Sequence, residues 1–276
     1  MEKPKISVSF SGGRTSAYMS YLIKKHWGDS RDLCFIFANT GKENEETLVF
    51  ADKCDKEFGL NLVWIEAIME SPFYKVVSFE TASRAGGPFE DKIQRYGIPN
   101  MAFPWCTREL KTRPLRAAQV AIFGGYDYKT AIGIRMDEFD RMREDRKAAG
   151  LIYPLISEWP STKKDVADFW ESMPFDLGLK DYQGNCDLCW KKAMPKLLKI
   201  CKESPEKAEW WGNMEEKYSS LKPESQPKRA DQSFFNRKHT PVSEIVAIAQ
   251  TAKYLPIQLS LFNGGSSCEG ESCEAF

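Results

Sequence analysis

The feature of this 276-residue sequence that most constrains its fold is a glycine loop near the start, Ser11-Gly12-Gly13-Arg14-Thr15-Ser16. An apolar run at 5–10 precedes the loop, and apolar residues at helical spacing follow it over 16–26. Glycines let a chain turn tightly, and the start of the next helix offers N–H donors and the positive end of its dipole. The pattern predicts a phosphate-binding loop between a strand and a helix. The alternative is a glycine turn that only joins the two.

The segments after the loop alternate between strand-like and helix-like patterns. Alternation with short connections is typical of a parallel sheet covered by helices. We therefore predict an α/β fold with a mostly parallel, doubly wound sheet and helices on both faces. The predicted strands are 5–10, 33–38, 60–65 and 128–134, and the predicted helices are 16–26, 43–58 and 113–123.

The pattern changes beyond residue 160. Two predicted helices, 165–170 and 194–202, flank a compact cysteine loop (residues 184–192), and the residues from Gly264 onward have no periodicity. The sequence thus predicts a domain at 1–160 that contains the glycine loop. A smaller helical region at 161–276 contains the C-x-x-C loop and a cysteine-bearing tail.

Composition bounds the class of protein. Lys and Arg together number 39, as do Asp and Glu, so the chain as a whole has no net attraction for nucleic acid, although a local basic face stays open. No segment approaches the roughly 18 apolar residues needed to span a bilayer, and the start does not resemble a signal peptide. We expect a cytoplasmic protein with no membrane partner. In a reducing compartment, eight cysteines indicate metal or redox chemistry more than structural disulfides.

Five stretches, in order, resemble the PP-loop family of ATP pyrophosphatases and phosphoadenosine phosphosulfate (PAPS) reductases. The resemblance covers residues 6–170 and implies an adenine nucleotide, ATP or PAPS, on the glycine loop at Ser11, Gly12, Gly13, Thr15 and Ser16. The other four stretches are Phe37-Ala38-Asn39-Thr40-Gly41 with Glu45-Glu46-Thr47, Cys106-Thr107 with Lys111 and Pro114-Leu115, Gly133-Ile134-Arg135 with Asp137-Glu138, and Tyr153-Pro154-Leu155 with Trp159.

The resemblance also implies roles for residues outside the glycine loop. The segment Asn39-Thr40-Gly41 ends the second predicted strand, where open α/β sheets bind ligands, and would contact the adenosine. Gly133 belongs to the same predicted cofactor site. Lys111 and Arg135 are catalytic candidates that would neutralise phosphate or sulfate oxygens, Arg135 with two parallel hydrogen bonds. A surface salt bridge is the alternative role for each.

Thr15 is a departure from the ATP pyrophosphatases. Those enzymes carry an aspartate at this position, which helps to manage magnesium and the triphosphate. A neutral hydroxyl loses that charge contact with a divalent ion. Phosphate binding is still expected, whereas ATP cleavage with magnesium becomes one alternative among several.

The pair Cys186 and Cys189 has the spacing that places two thiolates on one cation. The pair could be half of a metal site, a redox dithiol or two buried small residues. Cys106 lies in the segment that supplies further ligands in cluster-bearing relatives. We expect an iron–sulfur cluster, of the [4Fe-4S] type, on these three cysteines with Cys268 as the fourth ligand. Cys201, Cys273 or an open iron are alternatives for the fourth position, and structural zinc or no metal are alternatives for the site.

Two further segments suggest partners. The sequence lacks the Glu-Cys-Gly-[Leu/Ile]-His tail of thioredoxin-dependent PAPS reductases and instead carries two cysteines near its end, Cys268 and Cys273, of which Cys273 is a candidate nucleophile. Aromatic and basic residues alternate between Trp210-Trp211 and His239, a mixture that can bind a nucleic-acid substrate, although helix packing explains the tryptophans more simply.

Three functions are compatible with these features. The first is a PAPS reductase-like oxidoreductase, in which a thiol attacks the sulfur of a sulfonucleotide and releases sulfite, and which uses a thiol or electron-donor protein. The second is an ATP-dependent sulfurtransferase that thiolates or phosphorothioates nucleic acid. The third is a nucleotide-binding module without turnover. The oligomeric state is not predicted.

Overall fold

The computed structural model describes residues 2–223, 234–235 and 240–251, and the description below concerns these residues alone. They form six strands and nine α-helices. The strands are β1 (Lys5–Phe10), β2 (Asp32–Asn39), β3 (Val63–Ala67), β4 (Tyr74–Val77), β5 (Lys129–Ala131) and β6 (Leu151–Ile152). The helices are α1 (Arg14–Trp27), α2 (Glu45–Phe58), α3 (Gly87–Tyr96), α4 (Arg113–Phe123), α5 (Pro154–Ser157), α6 (Lys163–Ser172), α7 (Met194–Glu203), α8 (Glu206–Tyr218) and α9 (Val242–Thr251).

The six strands form one sheet in the order β4-β3-β2-β1-β5-β6. All neighbours pair in parallel except β3 and β4, which are antiparallel. The chain builds the sheet outward from β1, first through β2 and β3, and then on the other side through β5 and β6. Strand order thus reverses between β1 and β5, and open α/β sheets bind ligands beyond the carboxyl ends of the strands at such a point.

Helices cover both faces of the sheet, as predicted. Along β2, Phe35 and Phe37 pack into a cluster with α1, α2 and α6, whereas Cys34, Ile36 and Ala38 pack on the other side with α4. Successive side chains of a strand point to opposite faces, so the continuous apolar run of β2 fills both layers. The mostly parallel α/β fold is confirmed.

Local sequence sets the ends of several helices. Thr162 and Asp165 form a reciprocal capping box at the start of α6, in which each side chain bonds the other's main-chain N–H. α2 and α4 end at Gly59 and Gly124, both in the left-handed conformation that suits glycine. These end signals are local, like the apolar spacing from which the sequence predicts these helices.

β4 and α3 lie where the sequence pattern predicts no element. β4 is a four-residue edge strand, too short to show an alternation. α3 buries Phe89 and Ile93 in a second cluster, with Trp105, Leu188 and helices α7 to α9. α6 instead packs with the sheet, so the helices beyond residue 160 join two clusters that both include earlier residues. The division at residue 160 stays a prediction.

In the part of the chain that the structure describes, no helix is long and apolar enough to cross a bilayer. The predicted tail cysteines Cys268 and Cys273 lie outside the described residues, as do the basic residues Lys228, Arg229 and His239.

Candidate functional site

The glycine loop (residues 11–16) joins β1 to α1, and its two glycines differ. Gly12 has φ +83°, and a Cβ there would lie 2.5 Å from Cγ2 of Thr47. Gly13 is extended, with φ −101° and ψ 163°, and precedes the first turn of α1. The requirement for glycine is therefore strongest at Gly12, because both its backbone conformation and the contact with Thr47 exclude a side chain.

Hydroxyl groups close the loop on itself. Oγ of Ser16 donates to the carbonyl of Gly13 (3.0 Å) and accepts from the N–H of Ser11 (3.1 Å). Oγ of Ser11 lies 2.9 Å from the same hydroxyl. Ser16 thus shapes the loop from inside, and the loop reaches α1 with the helix N-terminus directed at the switch point.

Arg135 lies at the same point, after β5, and is only 4% exposed. Its Nη1 donates to Oγ1 of Thr15 (3.0 Å), its Nε donates to Asp137 (3.0 Å), and its Nη2 lies 3.4 Å from Glu138. Partial burial alone would raise the pKa of Asp137, but the hydrogen bond and charge of Arg135 lower it. Gly133 packs directly on Ser16, since a Cβ at Gly133 would lie 3.2 Å from Cα of Ser16.

A cavity of about 330 Å³ opens beside Arg135. Five cations and two carboxylates, Glu138 and Asp181, line it. Three of the cations have acidic partners: Arg135 pairs with Asp137 and Glu138, Arg14 makes a bidentate pair with Asp176, and Lys180 pairs with Glu203. The volume and charge suit a small polyanion. The cations are Arg14, Arg135, Lys163, Lys180 and Lys196.

The segment after β2 lies on the other side of the glycine loop. The Asn39 amide donates to Glu66 (2.7 Å) and to the carbonyl of Ser83 (2.9 Å). Thr40 donates to Glu43 from both its main-chain N–H and its hydroxyl, at 2.9 Å. The side chains of Asn39 and Thr40 are therefore occupied in shaping this turn with Gly41, and the predicted adenosine contact stays a prediction.

Lys111 is buried in a π-helical turn, Arg108–Thr112, that runs into α4. Its Nζ lies 3.8 Å from Oε1 of Glu43, a carboxylate that is itself buried. Burial raises the pKa of Glu43, while the charge of Lys111 and hydrogen bonds from Thr40 oppose that rise. Lys111 and Arg135 thus lie beyond β2 and β5, the two strands that flank β1. Their catalytic roles are not tested by this geometry.

The cysteine loop (residues 184–192) packs against this site. The main-chain N–H of Asn44 donates to the carbonyl of Asn185 (2.7 Å), and that of Asp187 donates to the carbonyl of Lys42 (2.9 Å). Glu43 and Cys186 form an isolated antiparallel bridge. The side-chain amide of Asn185 donates to the carbonyl of Ser11 in the glycine loop (2.6 Å). The sequence pattern does not predict this contact, because 174 residues separate its partners.

A buried ion pair reinforces this interface. Nζ of Lys42 lies 2.7 Å from Asp187, and their side chains are only 9% and 12% exposed. Nε1 of Trp211 also donates to Asp187 (2.8 Å), and Lys42 lies over the ring of Trp210. Burial raises the pKa of Asp187, whereas Lys42 lowers it. Trp211 is 1% exposed and packs against Phe235, so it is not available to stack on a nucleic-acid base.

The predicted metal ligands lie on facing segments. Nζ of Lys191, in the cysteine loop, donates to Oγ1 of Thr107 (3.3 Å), the residue after Cys106. Cys186 is buried and Cys189 and Cys106 are half-buried. Over residues 2–223, 234–235 and 240–251, no three Cys, His, Asp or Glu side chains are grouped as ligands of one metal ion. With Cys268 outside the described residues, the four-cysteine set stays a prediction.

Cys201, an alternative fourth ligand, lies within α7 in the helical cluster. It is fully buried, and burial raises the pKa of its thiol to about 11. Its side chain packs among the apolar residues of this cluster. Packing is the simplest role for Cys201.

The glycine loop, its partners after β5 and the segment around Lys111 all fall inside a recognisable domain. The phosphoadenosine phosphosulfate reductase domain matches residues 5–148, just over half of the chain. The chain belongs to this family. The predicted resemblance is confirmed.

Individual relatives of this PAPS reductase-domain protein were also found. An uncharacterized nin region protein, ORF290, of Escherichia phage lambda is 31% identical over 204 residues, which are 71% of this chain and 69% of the relative. A PAPS reductase from Candida auris, in a phosphate complex, has a TM-score of 0.40 at 15% identity and covers 63% of this chain and 75% of its own. The U34-tRNA thiolase NcsA from Methanococcus maripaludis, with its [4Fe-4S] cluster, has a TM-score of 0.43 at 14% identity. The match covers 90% of this chain and 81% of the thiolase chain.

Proposed function

We propose that this protein is an enzyme of sulfur chemistry that binds an adenine sulfonucleotide of the PAPS type. One observation carries the proposal: the glycine loop, the Thr15–Arg135 contact and the cation-lined cavity meet at the switch point of the sheet. The loop supplies main-chain donors for one anionic group. The cavity beside it supplies cations for another.

Thr15 favours a sulfonucleotide over a magnesium-bound triphosphate. Its hydroxyl is held by the guanidinium of Arg135, so this side of the loop presents a neutral donor and a cation. Phosphate and sulfate oxygens bind such groups directly. Arg135 would then stabilise the charge that develops on the leaving phosphate, and Lys111 would act from the side of β2.

The proposed reaction is a two-electron reduction. A thiolate sulfur attacks the sulfur of the sulfonucleotide, the bond from that sulfur to the phosphate oxygen breaks, and the adenosine bisphosphate leaves. A second thiol then attacks the thiol sulfur of the S-sulfonate, which releases sulfite and forms a disulfide. Cys273 is the proposed first thiol, and a dithiol donor protein supplies the second and restores the enzyme.

Cys106, Cys186 and Cys189 are proposed to hold an iron–sulfur cluster, with Cys268 as the fourth ligand. A pair of thiols in one loop, with a third on the segment that Lys191 contacts, suits thiolate donors to iron. When bound, such a cluster supplies thiolate-held iron for electron or sulfur transfer.

A second candidate is ATP-dependent sulfur transfer to nucleic acid. The observation that favours it is Glu138, which lines the same cavity beside Arg135, with Asp137 next to it and 40% exposed. Carboxylate oxygens are the ligands that magnesium prefers, so these two residues could replace the missing aspartate of the glycine loop.

Anaerobic purification followed by calorimetric titration separates these functions. We expect PAPS to bind without magnesium more tightly than ATP does, and to release sulfite when a dithiol reductant is added. Binding of ATP only when magnesium is present would favour the second candidate. Binding of PAPS with no sulfite and no adenosine bisphosphate formed would favour a module without turnover, and no binding of either would contradict the proposed site.

Iron and acid-labile sulfide analysis of the same preparation tests the cluster. Cys186→Ser and Cys189→Ser should each lose most of the iron. Cys201→Ser is the matched control, because Cys201 is a buried cysteine of the helical cluster outside the proposed set. Loss of iron in the control alone, or one zinc with no sulfide in the parent, would contradict the cluster.

A further inference from the structure

Asn185 connects the cysteine loop to the glycine loop through a single side chain. It is 4% exposed, and its Nδ2 donates to the carbonyl of Ser11 at 2.6 Å. Because a carbonyl only accepts, the nitrogen of the amide must face it. The residue that follows is Cys186, the first cysteine of the C-x-x-C pair.

This hydrogen bond determines which way a peptide of the glycine loop points. In a planar trans peptide the C=O and the next N–H point in opposite directions. With the Ser11 carbonyl held by Asn185, the N–H of Gly12 is turned away from Asn185. A flip of this peptide would change φ of Gly12 from its positive value to a negative one, and glycine tolerates both, so the glycine alone does not select the observed orientation. A reversed peptide would turn a carbonyl oxygen to the side that now carries the N–H, and that oxygen would repel an anion.

The oxygen of the Asn185 side-chain amide differs from its nitrogen in having no partner of this kind in the part of the chain that the structure describes. Oδ1 of Asn185 is buried and has no hydrogen-bond partner among the described residues. A buried acceptor without a partner is costly, and native structures satisfy most such atoms. The nitrogen of Asn185 thus holds the glycine loop, while no described residue donates to its oxygen.

The main chain around Asn185 ties the cysteine loop to the segment after β2. Its carbonyl accepts from the N–H of Asn44, and the carbonyl of Gly184 accepts from the Asn44 side chain (2.6 Å). The N–H of Asp187 bonds the carbonyl of Lys42. The cysteine loop is thereby joined to two segments of the proposed site, to the glycine loop through Asn185 and to the segment after β2 through its main chain.

We propose that Asn185 is a positioning residue that orients the Ser11–Gly12 peptide for anion binding and thereby couples nucleotide affinity to the conformation of the cysteine loop. The inference rests on the proposed nucleotide site, though not on the reaction that follows. Coupling between two sites is reciprocal, so a bound nucleotide also stabilises the cysteine loop.

The first test compares two variants of Asn185 by calorimetric titration with PAPS and with ATP. Asn185→Ala removes the donor, and we expect affinity to fall about tenfold, the value of one hydrogen bond. Asn185→Asp keeps the size but places carboxylate oxygens against a carbonyl, so affinity should fall further. A residue that only fills space would give the opposite order, with the aspartate variant close to the parent.

The second test is hydrogen exchange of the peptide that covers 184–192. In the parent, the nucleotide should slow exchange of this peptide several-fold, because loop opening would release Asn185 from Ser11. Asn185→Ala should lose that slowing at a nucleotide concentration that saturates it. Asn213→Ala, an exposed asparagine on α8, is the control and should behave as the parent does.

The outcomes separate this inference from the proposed function. If the parent binds neither PAPS nor ATP, the proposed nucleotide site fails and the inference fails with it. If the parent binds but Asn185→Asp binds equally well, or the slowing persists in Asn185→Ala, the site stands and the role of Asn185 is refuted. Circular dichroism of both variants shows whether each has folded, and the aspartate variant keeps the test valid if the alanine variant has not.

Discussion

Arg135 and Lys42 are buried cations on opposite sides of the glycine loop, and their surroundings differ. Arg135 lines the cavity of about 330 Å³, and Asp137, one of its two acidic partners, is 40% exposed. Lys42 pairs with Asp187, which is 12% exposed and is held further by Trp211. One cation therefore faces an opening, while the other is enclosed between the cysteine loop and the helical cluster.

The difference separates a binding charge from a structural one. A ligand anion can take the place of a half-exposed carboxylate, because the released carboxylate is rehydrated. An enclosed carboxylate such as Asp187 cannot be rehydrated in this way, and removing it leaves the charge of its buried partner uncompensated. We therefore expect substitutions near Arg135 to affect binding, and substitutions around Asp187 and the helical cluster to affect stability.

The largest effect is expected at the enclosed pair. Asp187→Asn should lower the free energy of unfolding by about 3–5 kcal/mol, because Lys42 stays buried without its partner. Urea denaturation followed by circular dichroism measures it. The double variant Lys42→Met/Asp187→Leu should recover much of the loss, since it removes both charges. A double variant as unstable as the single one would show that the pair is not what stabilises this interface.

Arg135→Gln should weaken nucleotide binding roughly 100-fold, or about 2.8 kcal/mol, through loss of charge-assisted hydrogen bonds. The loss of stability should be smaller than at Asp187, because Asp137 can be hydrated. Titration calorimetry of this variant tests the loss of affinity, and urea denaturation tests the loss of stability. Arg143→Gln, which removes an exposed arginine paired with Asp145, is the control and should bind as the parent does. If Arg135→Gln bound the nucleotide as tightly as the parent does, Arg135 would not contact the bound anion.

Gly12→Ala should cost about 2 kcal/mol of stability, from the positive φ and from the contact of the new Cβ with Thr47. Gly178→Ala is the matched control, because Gly178 has φ +74° with nothing within 4 Å of a Cβ. The control should lose only about 1 kcal/mol for the conformation. Gly13→Ala should lose less than Gly12→Ala, because Gly13 is extended. Thermal unfolding measures the stability of all three variants. If Gly12→Ala were the most stable of them, the special requirement for glycine at position 12 would be refuted.

A pH dependence in the helical cluster is comparable in size to the effect at Gly12, and it appears only when the pH is changed. Burial raises the pKa of Glu215 to about 7, against N–H donors from Val242 and Phe235 that lower it. The folded chain thus holds this proton more tightly than the unfolded chain does, so its stabilising contribution declines as the pH rises from about 4.5 to about 7. Glu215→Gln should remove about 2 kcal/mol of this decline.

Urea denaturation at pH 5 and pH 8 measures the decline for parent and variant. The exposed neighbour Glu216 provides the control, and Glu216→Gln should leave the pH dependence of stability unchanged. A parent whose stability does not fall between these two values would contradict a raised pKa at Glu215. The result would sharpen the contrast with Asp137, whose pKa is lowered by Arg135 at the open side.

The sequence by itself determined the parts of this protein that depend on near neighbours. Apolar periodicity predicted β1, α1, β2, α2 and α4, and their alternation predicted a mostly parallel α/β sheet, because strand and helix patterns are written over four to fifteen residues. The glycine loop and the ordered segments up to Arg135 were sufficient to identify the family. A phosphate loop between a strand and a helix depends only on local chemistry, so no distant partner had to be known.

Only the tertiary structure decided how distant residues meet at the site. Gly12 and Gly13 are alike in the sequence, and the backbone angles distinguish them. β4 and α3 were missed because one is a short edge strand and the other is stabilised by packing against distant aromatic residues. Asn185, Lys42 and Asp187 showed no signal, since each owes its role to a partner more than 140 residues away along the chain. Such contacts depend on how the whole chain folds, which a local pattern does not specify.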